Sequence, residues 1–178
     1  GPKTIANARN LGGVASHGDL LIFCDADTKV DNLPEFIKTI IYHFKKERLA
    51  AAIPAVKVFP KERIIRDYIF QKSYYFFINL SFKIKKPIAP GQCQIVTRSI
   101  FNLVGGYNKS RVHAEDTQFM NDISRKGKIK YFNNLVVFES PRRYRKMGYV
   151  KYILTGIIFF FFYLFFRKNI VETWERVY

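Results

Sequence analysis

A short apolar run that stops at two aspartates constrains this sequence most. Leu20–Cys24 (LLIFC) carries no charged side chain, and Asp25, Ala26 and Asp27 follow it directly. An unbroken apolar run of this length is typical of a strand buried on both faces, and such strands are mostly parallel. The sequence therefore predicts two carboxylates at the carboxyl end of a parallel sheet, where ligands of such sheets bind.

Helical and extended patterns alternate along the rest of the chain. Helices are predicted at residues 4–16, 34–46, 99–104 and 115–126, and strands at residues 49–58, 92–97 and 128–138. Pro54 within the second strand indicates an edge position or a bulge. A chain of 178 residues with this alternation predicts one α/β domain, with a mainly parallel sheet flanked by helices.

The chain is strongly basic. Its 30 Lys and Arg residues outnumber its 14 Asp and Glu residues, which gives a formal net charge of +16. Nucleic acid, an anionic membrane surface or a phosphorylated small molecule could each balance this charge. Hydrophobic residues make up 48% of the chain, which excludes general disorder. Cys24 and Cys93 are too far apart in sequence for a close-spaced zinc site and are interpreted as buried packing.

Two aromatic segments leave their environment open. Tyr and Phe are interleaved with Lys and Arg over residues 64–82, which fits either a core helix or an interfacial one. Residues 152–166 carry no charge, and a helix of that length covers roughly 22 Å, less than the roughly 30 Å of bilayer hydrocarbon. An in-plane or re-entrant membrane segment, a short or tilted span and a buried helix all remain open. Basic residues on both sides of this run favour a lipid surface.

Two acidic clusters stand out because acidic residues are few. Asp25 and Asp27 repel each other unless a cation or a bound partner compensates, and oxygen ligands favour Mg²⁺ or Mn²⁺. Glu115 and Asp116 open a helix, where either helix capping or general-base chemistry accounts for them. His113 precedes them in a loop and has either a structural role or a contact with a diphosphate.

The order of these pieces resembles a known family. Two segments carry the resemblance: GPKTIANARNLGGVASHGDLLIFCDADT, and farther on GQCQIVTRSIFNLVGGYNKSRVHAEDTQFMNDISRKGKI. An ARN-bearing helix before a strand ending in D-x-D, then a G-x-x-x-x-x-x-R strand, a GG[FY] turn and an ED pair, is similar to the family 2 glycosyltransferases. The resemblance implies the A-type, Rossmann-like fold of nucleotide-diphospho-sugar transferases over residues 1–148. Residues 149–178 would then form a membrane-associated apolar helix and tail.

The resemblance also implies roles for individual residues. Asp25 and Asp27 would hold Mg²⁺ or Mn²⁺ at the donor's diphosphate, and Asp116, beside Glu115, would take the proton of an acceptor hydroxyl. Further implied contacts to the donor or acceptor are Arg9, Gly91, Gln92, His113, Arg142 and Arg143. The arginines Arg142, Arg143 and Arg145 would either close over the diphosphate or form a basic patch that faces a membrane.

The sequence departs from the family pattern in two places. Members generally begin with a strand, helix and strand that grip the nucleoside, whereas this sequence begins at the ARN helix, so we expect it to correspond to the C-terminal two thirds of the usual domain. Asp122 stands where many relatives carry an arginine, and Arg125 is displaced from that position by three residues. The second departure concerns the acceptor side of the site.

The sequence thus predicts an inverting, metal-dependent glycosyltransferase at the cytoplasmic face of the cell membrane. It would move a sugar from a nucleotide-diphospho-sugar to a lipid-linked or cell-surface glycan acceptor, with no nucleic-acid partner. The alternative is a non-catalytic basic and aromatic module that binds a membrane surface or nucleic acid.

Overall fold

A computed structural model of the protein describes residues 4–111 and 114–155. In chain order the elements are α1 Ile5–Ala15, β1 Leu20–Cys24, α2 Leu33–Glu47, β2 Leu49–Val58, α3 Ile65–Lys83, β3 Cys93–Thr97, α4 Arg98–Val104, α5 Glu115–Ser124, β4 Lys128–Glu139 and α6 Arg142–Met147. Helical backbone resumes at 149 and continues to 155. The predicted helices and strands are all present at nearly the expected bounds, while the short α6 has no counterpart among the predicted elements.

The four strands form one mixed sheet in the order β1-β3-β2-β4. β3 runs antiparallel to both of its neighbours, and only β2 and β4 pair in parallel. The prediction of a mainly parallel sheet is therefore wrong. Apolar runs report burial, but they do not report the direction of the neighbouring strand, which depends on distant parts of the chain.

The strand β1 shows why this inference failed. It pairs antiparallel with β3 from Leu20 opposite Thr97 to Cys24 opposite Cys93. Its side chains alternate, with Leu21 buried and Ile22 38% exposed. The strand is therefore covered on one face, although its composition is apolar on both. Cys24 is exposed and Cys93 is buried, with their sulfurs 3.4 Å apart as free thiols, so only Cys93 fulfils the predicted packing role.

Pro54 lies in a central strand with a bulge. β2 is hydrogen-bonded to β3 on one side and to β4 on the other, so the predicted edge position is wrong. The register with β4 shifts between Pro54 and Ala55, which confirms the predicted bulge. Proline has no N–H to donate to a ladder, and a break in register accommodates it there.

Helices cover both faces of the sheet. α2 packs on one face through Phe36, Ile40 and Phe44. The helices α1, α3, α4 and α5 pack on the other face, around a cluster that includes Phe101 and Phe119. Helix periodicity places these apolar side chains on one side of each helix, so burial of the sheet and formation of the helices stabilise each other.

One side chain joins α1 to the turn after α4. The Asn10 side chain accepts a hydrogen bond from the Tyr107 backbone N–H at 2.8 Å and donates one to its carbonyl at 2.7 Å. Gly105 and Gly106 before it have positive φ values of 77° and 75°. A β-carbon on Gly106 would stand 2.4 Å from the Asn10 oxygen, so this approach requires glycine. The ARN and GGY motifs are therefore two halves of one contact.

The predicted membrane-associated segment lies mostly beyond the described residues, because the description ends at 155. Among the helices of residues 4–111 and 114–155, none combines the length and apolarity needed to cross a membrane.

Candidate active site

A cleft of about 430 Å³ opens where β1 and β4 end and α5 begins. The cleft is lined by the predicted site residues Arg9, Asp25, Asp27, Gly91, Gln92, Glu115, Asp116, Arg142 and Arg143. His113 lies outside the described residues. The two acidic clusters, about ninety residues apart in the sequence, therefore share one cavity.

Arg9 connects the two acidic clusters. Its Nη2 donates to Asp25 Oδ1 and to the Gly91 carbonyl, both at 2.9 Å. Its Nη1 donates to Glu115 Oε1 at 3.4 Å, and its guanidinium lies 5.3 Å from the centre of the Tyr107 ring. Only 11% of the Arg9 side chain is exposed. One buried cation therefore fixes the loop after β1, the loop before β3 and the start of α5 relative to one another.

The charge of Arg9 is maintained by its surroundings. Burial alone would lower the pKa of the guanidinium, but interactions with Tyr107, Asp116, Asp25 and Glu115 outweigh it and raise the pKa above its usual value. Arg9 therefore stays protonated throughout the working pH range of a protein.

The loop that carries Asp25 and Asp27 is held through its backbone. The Gln92 carbonyl accepts hydrogen bonds from the Asp25 N–H at 3.0 Å and from the Thr28 hydroxyl at 3.2 Å. Lys29 then forms an isolated antiparallel bridge with Phe138 of β4. Because the backbone supplies these bonds, the two carboxylates remain 42% and 60% exposed and face the cleft.

Glu115 and Asp116 begin α5 at the wall of the cleft. Burial, followed by the neighbouring Asp116, raises the pKa of Glu115 to about 7. Burial likewise raises the pKa of Asp116, against the opposing effect of Arg9. Asp116 Oδ1 accepts from the Thr117 N–H at 2.6 Å. The N-cap of α5 is Ala114, and no side-chain cap hydrogen bond is made there.

The other oxygen of Asp116 faces Gly91. Asp116 Oδ2 and Arg9 Nη2 would each lie 2.8 Å from a β-carbon on Gly91, so no larger residue fits between them. The backbone of Asp116 is held from behind, since its carbonyl accepts from Gln94, and Gln94 accepts the Tyr107 hydroxyl at 2.7 Å. The GGY turn is thereby connected to the acid of the ED pair through two buried side chains.

Glu139 is a site residue that the sequence analysis missed. It ends β4, lines the cleft and accepts a hydrogen bond from Gln92 Nε2 at 2.8 Å. Burial raises its pKa to about 7, and Gln92 opposes that shift. No local motif surrounds this glutamate, so only the pairing of β4 with β2 brings it to the site.

The three arginines near α6 do not act as one group. Arg142 lies 3.6 Å from Asp27 Oδ2, and Arg143 also lines the cleft. Arg145 instead pairs with Asp67 of α3, whose side chain is fully buried, and with the Glu62 carbonyl. Arg145 does not line the cleft, so the alternative in which it closes over a diphosphate is wrong, because a buried carboxylate requires it as a partner. The alternative of a basic patch that faces a membrane stays a prediction.

The residues present fit a metal ion that is shared with a substrate. Across the described ranges, no three His, Cys, Asp or Glu side chains are grouped to hold a metal ion by themselves. Asp25 and Asp27 offer two partly exposed carboxylates, and Mg²⁺ is usually bound by one or two carboxylates together with substrate phosphates. Such a site needs the donor to complete it.

Comparison with known proteins identifies the family. The model of glycosyl transferase family 2 matches residues 2–105, which include Arg9, Asp25, Asp27, Gly91 and Gln92. The chain belongs to glycosyl transferase family 2. No curated protein matches the chain.

Among solved structures, the fold is similar to that of the mannosyltransferase PcManGT from Pyrobaculum calidifontis, determined in complex with GDP-Man and Mn²⁺. The TM-score is 0.55 at 16% sequence identity, and the match covers 88% of this chain and 44% of that one. The likeness shows that this chain shares the fold of that mannosyltransferase and spans less than half of its length.

Replacing Gly91 by Ala tests the contact between Arg9 and Asp116. We expect the new β-carbon to displace both side chains and to destabilise the fold by on the order of 1–3 kcal/mol, measured by chemical denaturation. The matched control is Gly12→Ala in α1, where no atom lies within 4 Å. That variant should gain about 0.5–1 kcal/mol from helix propensity. Equal effects of the two substitutions would contradict the steric argument.

Replacing Glu139 by Gln tests the buried carboxyl through pH. A carboxyl whose pKa is raised in the folded state stabilises the fold below about pH 4.5, and that contribution is lost as pH rises through about 7. Glutamine cannot ionise and can still accept from Gln92. The difference in unfolding free energy between the variant and wild type should therefore shift in favour of the variant by on the order of 1–3 kcal/mol between pH 4 and pH 8. If this difference in unfolding free energy does not change with pH, folding does not raise the pKa of Glu139.

Proposed function

We propose that this chain carries the catalytic centre of an inverting, metal-dependent glycosyltransferase. The donor is a nucleotide-diphospho-sugar, and the acceptor is a lipid-linked or cell-surface glycan at the cytoplasmic face of the cell membrane. One observation carries the proposal: a buried arginine pairs with Asp25 of the metal-compatible carboxylates and with Glu115, and Asp27 and Asp116 line the same cleft. Residues 1–148 form the catalytic part in this proposal, and residues 149–178 form the membrane-associated part.

The loop after β1 would bind the sugar donor. Asp25 and Asp27 would hold Mg²⁺ or Mn²⁺ against the diphosphate, and Arg142 and Arg143 would contact the phosphate oxygens from the other side of the cleft. A bound divalent ion stabilises the charge that develops on the leaving diphosphate. The Mn²⁺ and GDP-Man in the similar mannosyltransferase support this assignment of the donor side.

The acceptor side falls to Asp116. Its Oδ1 is already hydrogen-bonded to the Thr117 N–H, so Oδ2 is the oxygen that would take the proton of the acceptor hydroxyl. The acceptor oxygen attacks the anomeric carbon while the bond from that carbon to the diphosphate breaks on the opposite face, and the configuration inverts. Burial raises the proton affinity of Asp116, which brings a carboxylate closer to the strength that a general base needs near neutral pH.

Glu115 and Arg9 position this base. Glu115 shares Arg9 with Asp25, so its carboxylate is oriented towards the guanidinium. Arg9 lowers the cost of placing three carboxylates around one cleft. In this proposal neither residue takes the acceptor proton.

Replacing Asp27 by Asn tests the donor site. We expect the thermal stabilisation by a nucleotide sugar in Mn²⁺ to disappear, while the melting temperature without ligand stays unchanged, because the Asp27 side chain is 60% exposed. GDP-mannose is the first donor to try in a panel of nucleotide sugars. Asp122→Asn is the control, since Asp122 pairs with Arg125 on the surface of α5. If no nucleotide sugar stabilises wild type but oligonucleotides bind in a salt-sensitive way, the non-catalytic alternative is favoured.

Replacing Asp116 by Asn tests the base. The amide oxygen can still accept from Thr117, so we expect folding and donor binding to be retained while turnover falls by about 10²- to 10⁴-fold. Turnover is followed as release of nucleoside diphosphate, with donor binding measured on the same sample by thermal shift. Wild-type turnover in this variant would remove Asp116 from the mechanism.

A further inference from the structure

The helix α3 has buried side chains on one side and large exposed apolar side chains on the other. The buried residues are both apolar and polar: Asp67, Phe70, Gln71, Ile78 and Ser81. Ile69 and Phe76 on the outer side are 59% and 65% exposed. The outer side of a helix on the surface of a water-soluble domain is normally polar.

The exposed apolar residues of α3 form one continuous face. Ile65, Ile69, Phe76 and Leu80 follow one another at four- and seven-residue spacing, which places them on the same side of a helix. Ile65 is 70% exposed and Leu80 45%. We call this set the outer face of α3. Single exposed apolar residues are ordinary, whereas a contiguous patch marks an interaction surface.

The charge around the outer face has one sign. The basic residues of this stretch are Arg66, Lys72, Lys83, Lys85 and Lys86, all exposed. The single acidic residue between positions 64 and 86 is Asp67, which is buried and paired with Arg145. Lys72 and Lys83 lie near the apolar stripe, and their aliphatic stems can extend across it while the ammonium groups reach outward.

We propose that the outer face of α3 docks on an anionic lipid surface, with the helix lying in the plane of the headgroups. An apolar stripe flanked by Lys and Arg matches such a surface in both of its layers, since the apolar side chains enter the acyl boundary and the cations meet the headgroups. The buried Phe70, Gln71 and Ile78 keep the opposite side of the helix packed on the domain.

Docking of α3 would also fix the position of the cleft relative to the lipid surface. Tyr74, on the inner side of α3, lines the cleft together with Tyr152 from the segment 149–155. The cleft and the outer face are therefore on opposite sides of a single helix, a separation of roughly 10 Å. This consequence rests on the proposed function, in which the acceptor is lipid-linked: docking would hold the cleft that contains Asp116 close to the surface that carries the acceptor.

Vesicle binding tests the outer face. The full chain is mixed with vesicles of phosphatidylcholine alone and of phosphatidylcholine with phosphatidylglycerol, and the bound fraction is measured by flotation. We expect binding to the anionic vesicles that weakens with salt, and a decrease of about tenfold or more in the double variant Ile69→Glu/Phe76→Glu.

The matched control is Leu33→Glu/Ile41→Glu, which adds the same charge at exposed aliphatic residues of α2, on the other face of the sheet. It should bind like wild type. Equal loss in both double variants would mean that net charge alone governs binding. No loss in the α3 variant would mean that another segment docks, and either result overturns the proposal.

A fluorescent probe distinguishes the lipid from other partners. An environment-sensitive dye is attached at Ile69→Cys in a Cys24→Ser/Cys93→Ser background. We expect water-like emission in buffer and a shift to shorter wavelength with anionic vesicles. Short-wavelength emission already in buffer would mean that residues 156–178 or a second copy covers the face, which overturns the proposal.

Donor binding separates this inference from the proposed function. The α3 variant and its α2 control should keep the thermal shift of wild type with GDP-mannose and Mn²⁺, since neither pair lines the cleft. Vesicle binding without any donor shift in wild type would refute the proposed function and leave the docking surface standing. A donor shift without dependence of vesicle binding on Ile69 and Phe76 would do the reverse.

Discussion

The site depends on the buried guanidinium of Arg9. Asp25, Glu115 and Asp116 are brought to one cleft by two separate parts of the chain, and their negative charges would repel one another in a partly dry environment. Arg9 donates to two of these carboxylates and to the Gly91 carbonyl, so it supplies both the compensating charge and the geometry. The fold around it serves to hold this cation, through Asn10 at the neighbouring position and the Tyr107 ring.

Much of the fold was predictable because its signals are local. Helix periodicity and the apolar runs predicted where the helices and strands lie. The order of the motifs predicted that Asp25, Asp27 and Asp116 share one site, and the three residues line one cleft. Strand direction was not predictable in the same way, because β1 reads as apolar on both faces although one face is exposed. Glu139 was not predicted as a site residue for a related reason, since its position in the cleft depends on how far β4 extends along β2. Pairing between distant strands decides both the strand direction and the position of Glu139, and the sequence of one strand does not specify that pairing.

The environment of α3 is a case in which the sequence stated the alternatives correctly but could not choose. Aromatic and basic residues alternate along it so closely that neither side is clearly apolar in the sequence. In the structure α3 buries Phe70 and Ile78 together with Asp67, which pairs with Arg145 from α6, and leaves Ile69 and Phe76 outside. Both sides of the helix carry apolar residues, so periodicity alone could not tell which side is packed.

The parallel pairing of β2 with β4 bears on how the domain assembles. Leu49 pairs with Lys128 only after α3, β3, α4 and α5 have been synthesised, and Asn10 must find Tyr107 at a separation of 97 residues. Bringing such distant parts of the chain together costs conformational entropy before their contacts stabilise the fold. We therefore expect this domain to fold slowly for its size. During that interval the apolar strand β2 lacks its parallel partner β4, and its unpaired edge leaves the growing chain prone to aggregation.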